Sequence, residues 1–185
     1  MSVTVTPEEF TFVLFEAGRI STTAGSIATA IGLEQDIHIE VDETSPLTRI
    51  RVVSVDPVEL FAQSGALEEP RHPRHLSDQS MAESLGRLLF RVKDRRGPGF
   101  GDAPQDDQLT LGQLNAWDTY SLGRLARIGF PVGQPRWIYH FRMRHGFTDV
   151  ATAAFERLWS ADGLTWADLD AVCAEAEQAK AAVSA

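Results

Sequence analysis

Histidine and arginine are the residues in this chain whose types and spacing could do chemistry. In "RHPRH", His72 and His75 stand at an HxxH spacing, with Glu68, Glu69 and Asp78 close by in sequence. Two imidazoles and a carboxylate can hold zinc and leave a coordination position open for water. The stretch carries a proline, however, and lacks the helical HExxH pattern that would set both rings on one face. No further ligand follows at a telling spacing. The stretch therefore reads as a solvated polar loop, and the expectation is no bound metal and no cofactor.

"RWIYHFRMRHGF", Arg136 to Phe147, offers a second chemistry. Taken two by two, Trp137, Tyr139, Phe141 and Met143 fall on one side. Ile138, His140, Arg142 and Arg144 fall on the other, and this basic side could meet an anion. Other motifs lead to blander readings. "GPGFG", Gly97 to Gly101, follows two arginines but leaves a helix, where a phosphate cradle has to enter one. With its neighbours to 108 it reads as a mobile connector. Ser26 to Leu33 has the small residues and glycine turn of a helix-turn-helix segment. The following "EQDIHIEVDE" is acidic and strand-like where a recognition helix would stand. Cys173 falls on an apolar helical face and reads as a small core residue. No serine occupies a GxSxG elbow, and no apolar-flanked carboxylate pair suggests acid–base work.

The elements that must position these groups are legible as periodicities. Thr6-Pro7 followed by two glutamates reads as a helix start, with Phe10, Val13, Leu14 and Ala17 on one face and Gly18 as its stop. A second helix is expected over about Thr22 to Ile31. Ser80 with Glu83 and Thr110 with Gln113 match capping boxes ahead of two more. Thr148 and Thr165 cap the last two, and the tail should fray from about 181. "DIHIEVD" and "TRIRVVSV" alternate, which predicts a hairpin of 36–42 with 48–55. That pairing sets Asp42 opposite Arg49 and Glu40 opposite Arg51. A lone hairpin is marginal in water, so 136–144 is the expected third strand. The expectation is an α+β, mainly helical single domain over 1–185, with about six helices and a small antiparallel sheet.

On that sheet, His140, Arg142 and Arg144 share a face with Glu40 and Asp42, and four arginines meet two acids. The excess charge makes His140, Arg142, Arg144, His145, Arg49 and Arg51 the candidate anion site. Charge along the whole chain is uneven. Residues 1–69 carry 12 acids against 3 arginines, residues 70–145 carry 12 bases against 7 acids, and residues 146–185 carry 7 acids against 2 bases. A net charge of -9 argues against general nucleic-acid binding, which draws its affinity from neutralised phosphates. No apolar run approaches a membrane span, and the N-terminus has no signal-peptide pattern. One cysteine fits a reducing cytoplasm. These features lead to a cytoplasmic binding or interaction protein that contacts an anionic small molecule or an acidic protein segment. A metal-assisted hydrolase or lyase built on His72, His75, His140 and His145 is the alternative, and a structural subunit of a homo-oligomer is the third.

Overall fold

Alternating apolar side chains build a sheet in the first half of the chain. In a computed structural model describing residues 1–184, with side chains to Val183, strand β2 (Ile37–Asp42) buries Ile37, Ile39 and Val41. Strands β1 (Val3–Thr6) and β4 (Val58–Gln63) flank it in parallel. Strand β3 (Ile50–Val55) lies outside β4 in antiparallel register, giving the order β1-β2-β4-β3. Val58, Leu60, Ala62, Ile50 and Val52 extend the buried face. Helix α1 (Ala17–Ile31) packs on β1 and buries Ile20, Ala24, Ile27 and Ile31 at three- and four-residue spacing. Helix α2 (Asp78–Arg96) adds Met81, Leu85, Leu88, Leu89 and Val92 to the core. The chain divides into two compact units, 1–93 and 94 onward, and the boundary falls inside α2.

The fold is α+β and mainly helical, with six helices among the described residues, but several expected elements change. The sheet is mixed rather than antiparallel, and 36–42 does not pair with 48–55. The two-residue Asp56-Pro57 connection closes β3 directly onto β4, and short closure wins. Strand β4 then takes the edge of β2 that β3 was expected to fill. Glu40 and Arg51 end up on opposite sides of Phe61, with the guanidinium 5.2 Å from the ring centroid. The helix expected from Thr6 to Gly18 does not form. Val13 and Phe15 are buried while Phe12 and Leu14 are exposed, a period of two rather than 3.6. The Glu43 carboxylate accepts the Thr11 and Phe12 N–H groups at 2.7 and 2.6 Å, and Arg74 Nε donates to the Phe12 carbonyl at 2.6 Å. These tertiary bonds satisfy backbone groups that a helix would otherwise have paired. The α2 cap is Ser77, which accepts the Ser80 N–H at 3.1 Å, three residues before the expected serine. "EEPRHPRHL" is no plain loop. Strand β5 (Glu68–Glu69) pairs with β6 (His72–Leu76).

The second unit is helical. Helices α3 (Leu111–Arg127), α4 (Gln134–His145), α5 (Asp149–Ser160) and α6 (Trp166–Ser184) pack mutually. The residues from 181, expected to fray, form the last helical turn to Ser184. Three caps stand where the sequence puts them. Thr110 and Gln113 complete both halves of a capping box. Thr148 accepts the Ala151 N–H at 3.0 Å, and Thr165 accepts the Asp168 N–H at 3.2 Å. Helices α3 and α5 approach closely at Gly123, where a Cβ would stand 2.0 Å from the Trp159 carbonyl oxygen.

Residues 97–108, expected to be a mobile connector, are anchored at several points. Phe100 is buried and stacks on Trp117 at 5.0 Å between centroids. Arg95 forms a buried ion pair with Asp106 at 2.7 Å and donates to the Pro104 carbonyl at 2.8 Å. The Gly99 carbonyl accepts the Trp166 N–H at 2.8 Å. A glycine-rich composition permits mobility, and the buried ring and the buried ion pair tie the segment down at these points.

Candidate functional site

The segment 136–144, expected as a third strand, is helix α4. Pro135 in its first turn is already set for helical φ, and Gly146, at φ 99°, ends it. Trp137, Phe141 and His145 form the buried face at i, i+4 and i+8. Helical spacing therefore wins over the two-residue alternation, because it buries these three rings together. His145 lies 4.2 Å from Phe141, centroid to centroid, and Phe141 meets Phe155 at 5.8 Å.

The six residues of the expected anion site are not brought together on a sheet face. Arg49 and Arg51 belong to the first unit, where Arg51 leans on Phe61. The Arg49 N–H donates to Gln63 Oε1 at 3.2 Å. His140, Arg142, Arg144 and His145 belong to α4. His140 and Arg144 are exposed, Arg142 is half-buried with its guanidinium 5.0 Å from the Phe147 ring centroid, and His145 is fully buried. His72 and His75 are exposed on β6, and His72 stands opposite Glu69. Neither joins a set of three metal-ligand side chains among the described residues.

Helix α4 creates an outer stripe in place of the sheet face. Tyr139 is 55% exposed, Met143 57% and Phe147 57%. Tyr139 and Met143 are four apart, so they line one side of the helix, and Phe147 follows just past its end. Tyr139 and Phe147 touch edge to face at 5.9 Å, which closes the stripe into one patch. Residues 134–147 contain three arginines and two histidines and no acid.

The inner end of α4 holds a second arrangement. His145, Cys173 and Glu177 bring one ring nitrogen, one sulfur and one carboxylate oxygen within 4.8 Å of one another. Cys173 and Glu177 lie one turn apart on α6, with Sγ 3.8 Å from Oε1. The thiol is buried, as its apolar helical face predicts, and Glu177 is exposed. Neither His145 ring nitrogen has a hydrogen-bond partner, although the ring is fully buried. Each unsatisfied group of this kind costs about 1–3 kcal/mol. Gly112 in α3 borders the cluster. A Cβ there would fall 2.2 Å from Glu177 Oε1 and 3.2 Å from Cys173 Sγ. Sequence reading puts His145 in a different site and passes over Glu177. The Cys173–Glu177 spacing is visible in the sequence, but the approach of His145 is tertiary.

Burial pulls the His145 pKa from 6.5 to about 4. The Arg144 and Lys180 charges act in the same direction. The Gly112 backbone offsets part of the effect. Burial also pushes the Cys173 thiol up to about 12, helped by the Glu177 and Asp170 carboxylates. A consequence for the metal-free protein follows from the histidine. The unfolded chain protonates this ring near pH 6.5 and the folded chain only near pH 4. Between these values the unfolded state holds more protons. The stabilisation is therefore complete above about pH 6.5 and is lost as pH falls through the window. It amounts to about 3 kcal/mol, of which about 2 is gone by pH 5. In chelator, melts at pH 7.5 and pH 5 should differ more for the wild type than for His145→Gln. Parallel pH dependence in the two proteins would contradict the assignment.

No protein-family model, no curated protein and no solved structure matches the chain. Among the described residues, no helix is long and apolar enough to cross a membrane.

Proposed function

We propose that this chain is a non-catalytic binding protein of the cytoplasm, and that it captures an acidic, apolar-bearing segment of a partner protein on the outer face of α4. The observation that carries this reading is the contiguous stripe of Tyr139, Met143 and Phe147 beside three arginines in a stretch without acids. Single exposed apolar residues are ordinary, but rings and a methionine that share one patch are the composition of contact cores. Methionine adapts its shape to a partner, and the aromatic rings lose little entropy on contact. The arginines select the sign of the partner's charge and speed encounter more than they add affinity. Two touching aromatic rings beside a methionine suit the apolar anchors of a peptide rather than a small anion. The lone free cysteine, with no disulfide, fits a reducing compartment.

The test uses three labelled peptides: leucines at i and i+4 among glutamates, the same pattern among lysines, and glutamates without leucines. Fluorescence anisotropy should report binding of the first alone, weakening as salt rises. Methyl resonances should shift at Met143 in the same titration. Equal binding of the lysine peptide, or shifts confined to other methionines, would contradict the reading. Self-association that Met143→Glu abolishes would make a second copy the occupant, and would overturn the partner assignment in favour of a homo-oligomer.

A further inference from the structure

We propose that His145, Cys173 and Glu177 form a binding site for a divalent transition-metal ion of the zinc class. The site is independent of the docking face on the other side of α4. Its donor set fixes the class of ion. A thiolate and an imidazole with a single carboxylate suit zinc, cobalt or copper, while magnesium and calcium require an oxygen shell.

The geometry is close to what such an ion needs. With bonds of about 2.0–2.3 Å, ligand atoms around a tetrahedral ion lie roughly 3.3–3.8 Å apart. Here the three atoms lie within 4.8 Å of one another, and the sulfur–oxygen pair is already at 3.8 Å. Glu177 is exposed, so its carboxylate can adjust to an ion held by the two buried ligands. Charge also balances. As the metal–sulfur bond forms, the thiol proton leaves to solvent. One thiolate and one carboxylate then neutralise a divalent cation, leaving no net charge beside the buried ring.

One observation independent of the cysteine points to a missing ligand. His145 is fully buried with both ring nitrogens unpartnered, which native proteins avoid unless something unseen satisfies the group. Gly112 lets α3 pack directly against the cluster, where a Cβ would collide with Glu177 Oε1 at 2.2 Å. The neighbouring charges are engaged elsewhere. Lys180 Nζ donates to the Arg144 carbonyl at 2.8 Å, and Asp170 accepts from Gln113 Nε2 at 2.8 Å. An ion here would tie the end of α4 to α6 with three protein ligands. A fourth position would remain for water, the pattern of an open zinc site.

The experiment takes the full chain, free of any histidine tag and stripped with chelator, and adds cobalt(II) and then zinc(II). One cobalt per chain is expected by native mass spectrometry. The spectrum should carry a thiolate-to-cobalt charge-transfer band and tetrahedral visible bands, bleached by one equivalent of zinc but not by magnesium. Cys173→Ser should lose the charge-transfer band. Glu177→Gln, at an exposed position that does not support the core, should weaken binding about tenfold or more, and so should Gly112→Ala. If Cys173→Ser fails to fold, these last two variants decide. No charge-transfer band, uptake that is not one to one, or zinc affinity unchanged in both Glu177→Gln and Gly112→Ala would overturn the site.

Discussion

Phe141→Ala should cost about 3–5 kcal/mol of stability, the loss expected when a large ring leaves a cavity in a packed interior. Phe141 is fully buried, with the His145 ring tilted against it on one side and Phe155 edge-on at another. These neighbours belong to different helices, so partial collapse of one cannot fill the space. The predicted fall in Tm is roughly 10 °C or more for a chain of this length. Arg142→Ala is the internal control. Arg142 is half-buried and lies over Phe147, and its loss should cost about 1 kcal/mol or less. Thermal melts of both variants beside the wild type check the pair. Small and equal shifts would mean that α4 is not packed by its 137–141–145 face.

Asp94→Ala should be as damaging, for an electrostatic reason. Asp94 is nearly buried and grips Arg124 through both carboxylate oxygens, at 2.7 and 2.6 Å. Its Oδ2 also accepts the Trp117 indole N–H at 2.8 Å. Removing the carboxylate leaves a cation and an indole N–H in a site where the Arg124 side chain is 11% exposed. Breaking one side of such a pair costs about 3–5 kcal/mol, most of it the penalty for the abandoned partner. The double variant Asp94→Ala/Arg124→Leu should therefore recover much of the loss, as a double-mutant cycle would register. Additive losses in urea unfolding would mean that Arg124 is solvated in the single variant.

Local chemistry was legible at three helix starts and misleading at two. Thr110, Thr148 and Thr165 cap helices as their positions predict, whereas the equally local signals at Thr6 and Ser80 are overridden by tertiary contacts and by the Ser77 cap. The strands near 37–42 and 50–55 follow from clean alternation. What failed was pairing. The same alternation in Val58, Leu60 and Ala62 follows an Asp-Pro turn, and this closer strand pairs with both β3 and β2.

Helix α4 failed for a different reason. Trp137 and Phe141 are four apart, a separation that serves both a strand face and a helix face. Only the residues between and beyond them separate the two readings. A strand would bury Tyr139 and Met143, whereas a helix buries His145 and exposes both. The choice is made by packing against α3, α5 and α6, which lies beyond the segment's own periodicity. The metal-like cluster was half legible for the same reason. Cys173 and Glu177 share one turn of α6, but His145 reaches them only after the bundle forms.

The outer face of α4 is proposed for contact and its inner face packs the bundle. Met143→Glu separates the two roles, measured for melting and for binding of the leucine–glutamate peptide on the same sample. Met143 is 57% exposed, and substitutions at such surface positions change stability by about 0.5 kcal/mol or less. The account predicts a Tm within about 2 °C of the wild type and loss of peptide binding, because an acid would stand in the middle of the stripe. A Tm lowered by roughly 10 °C, or undiminished binding at an unchanged Tm, would contradict it.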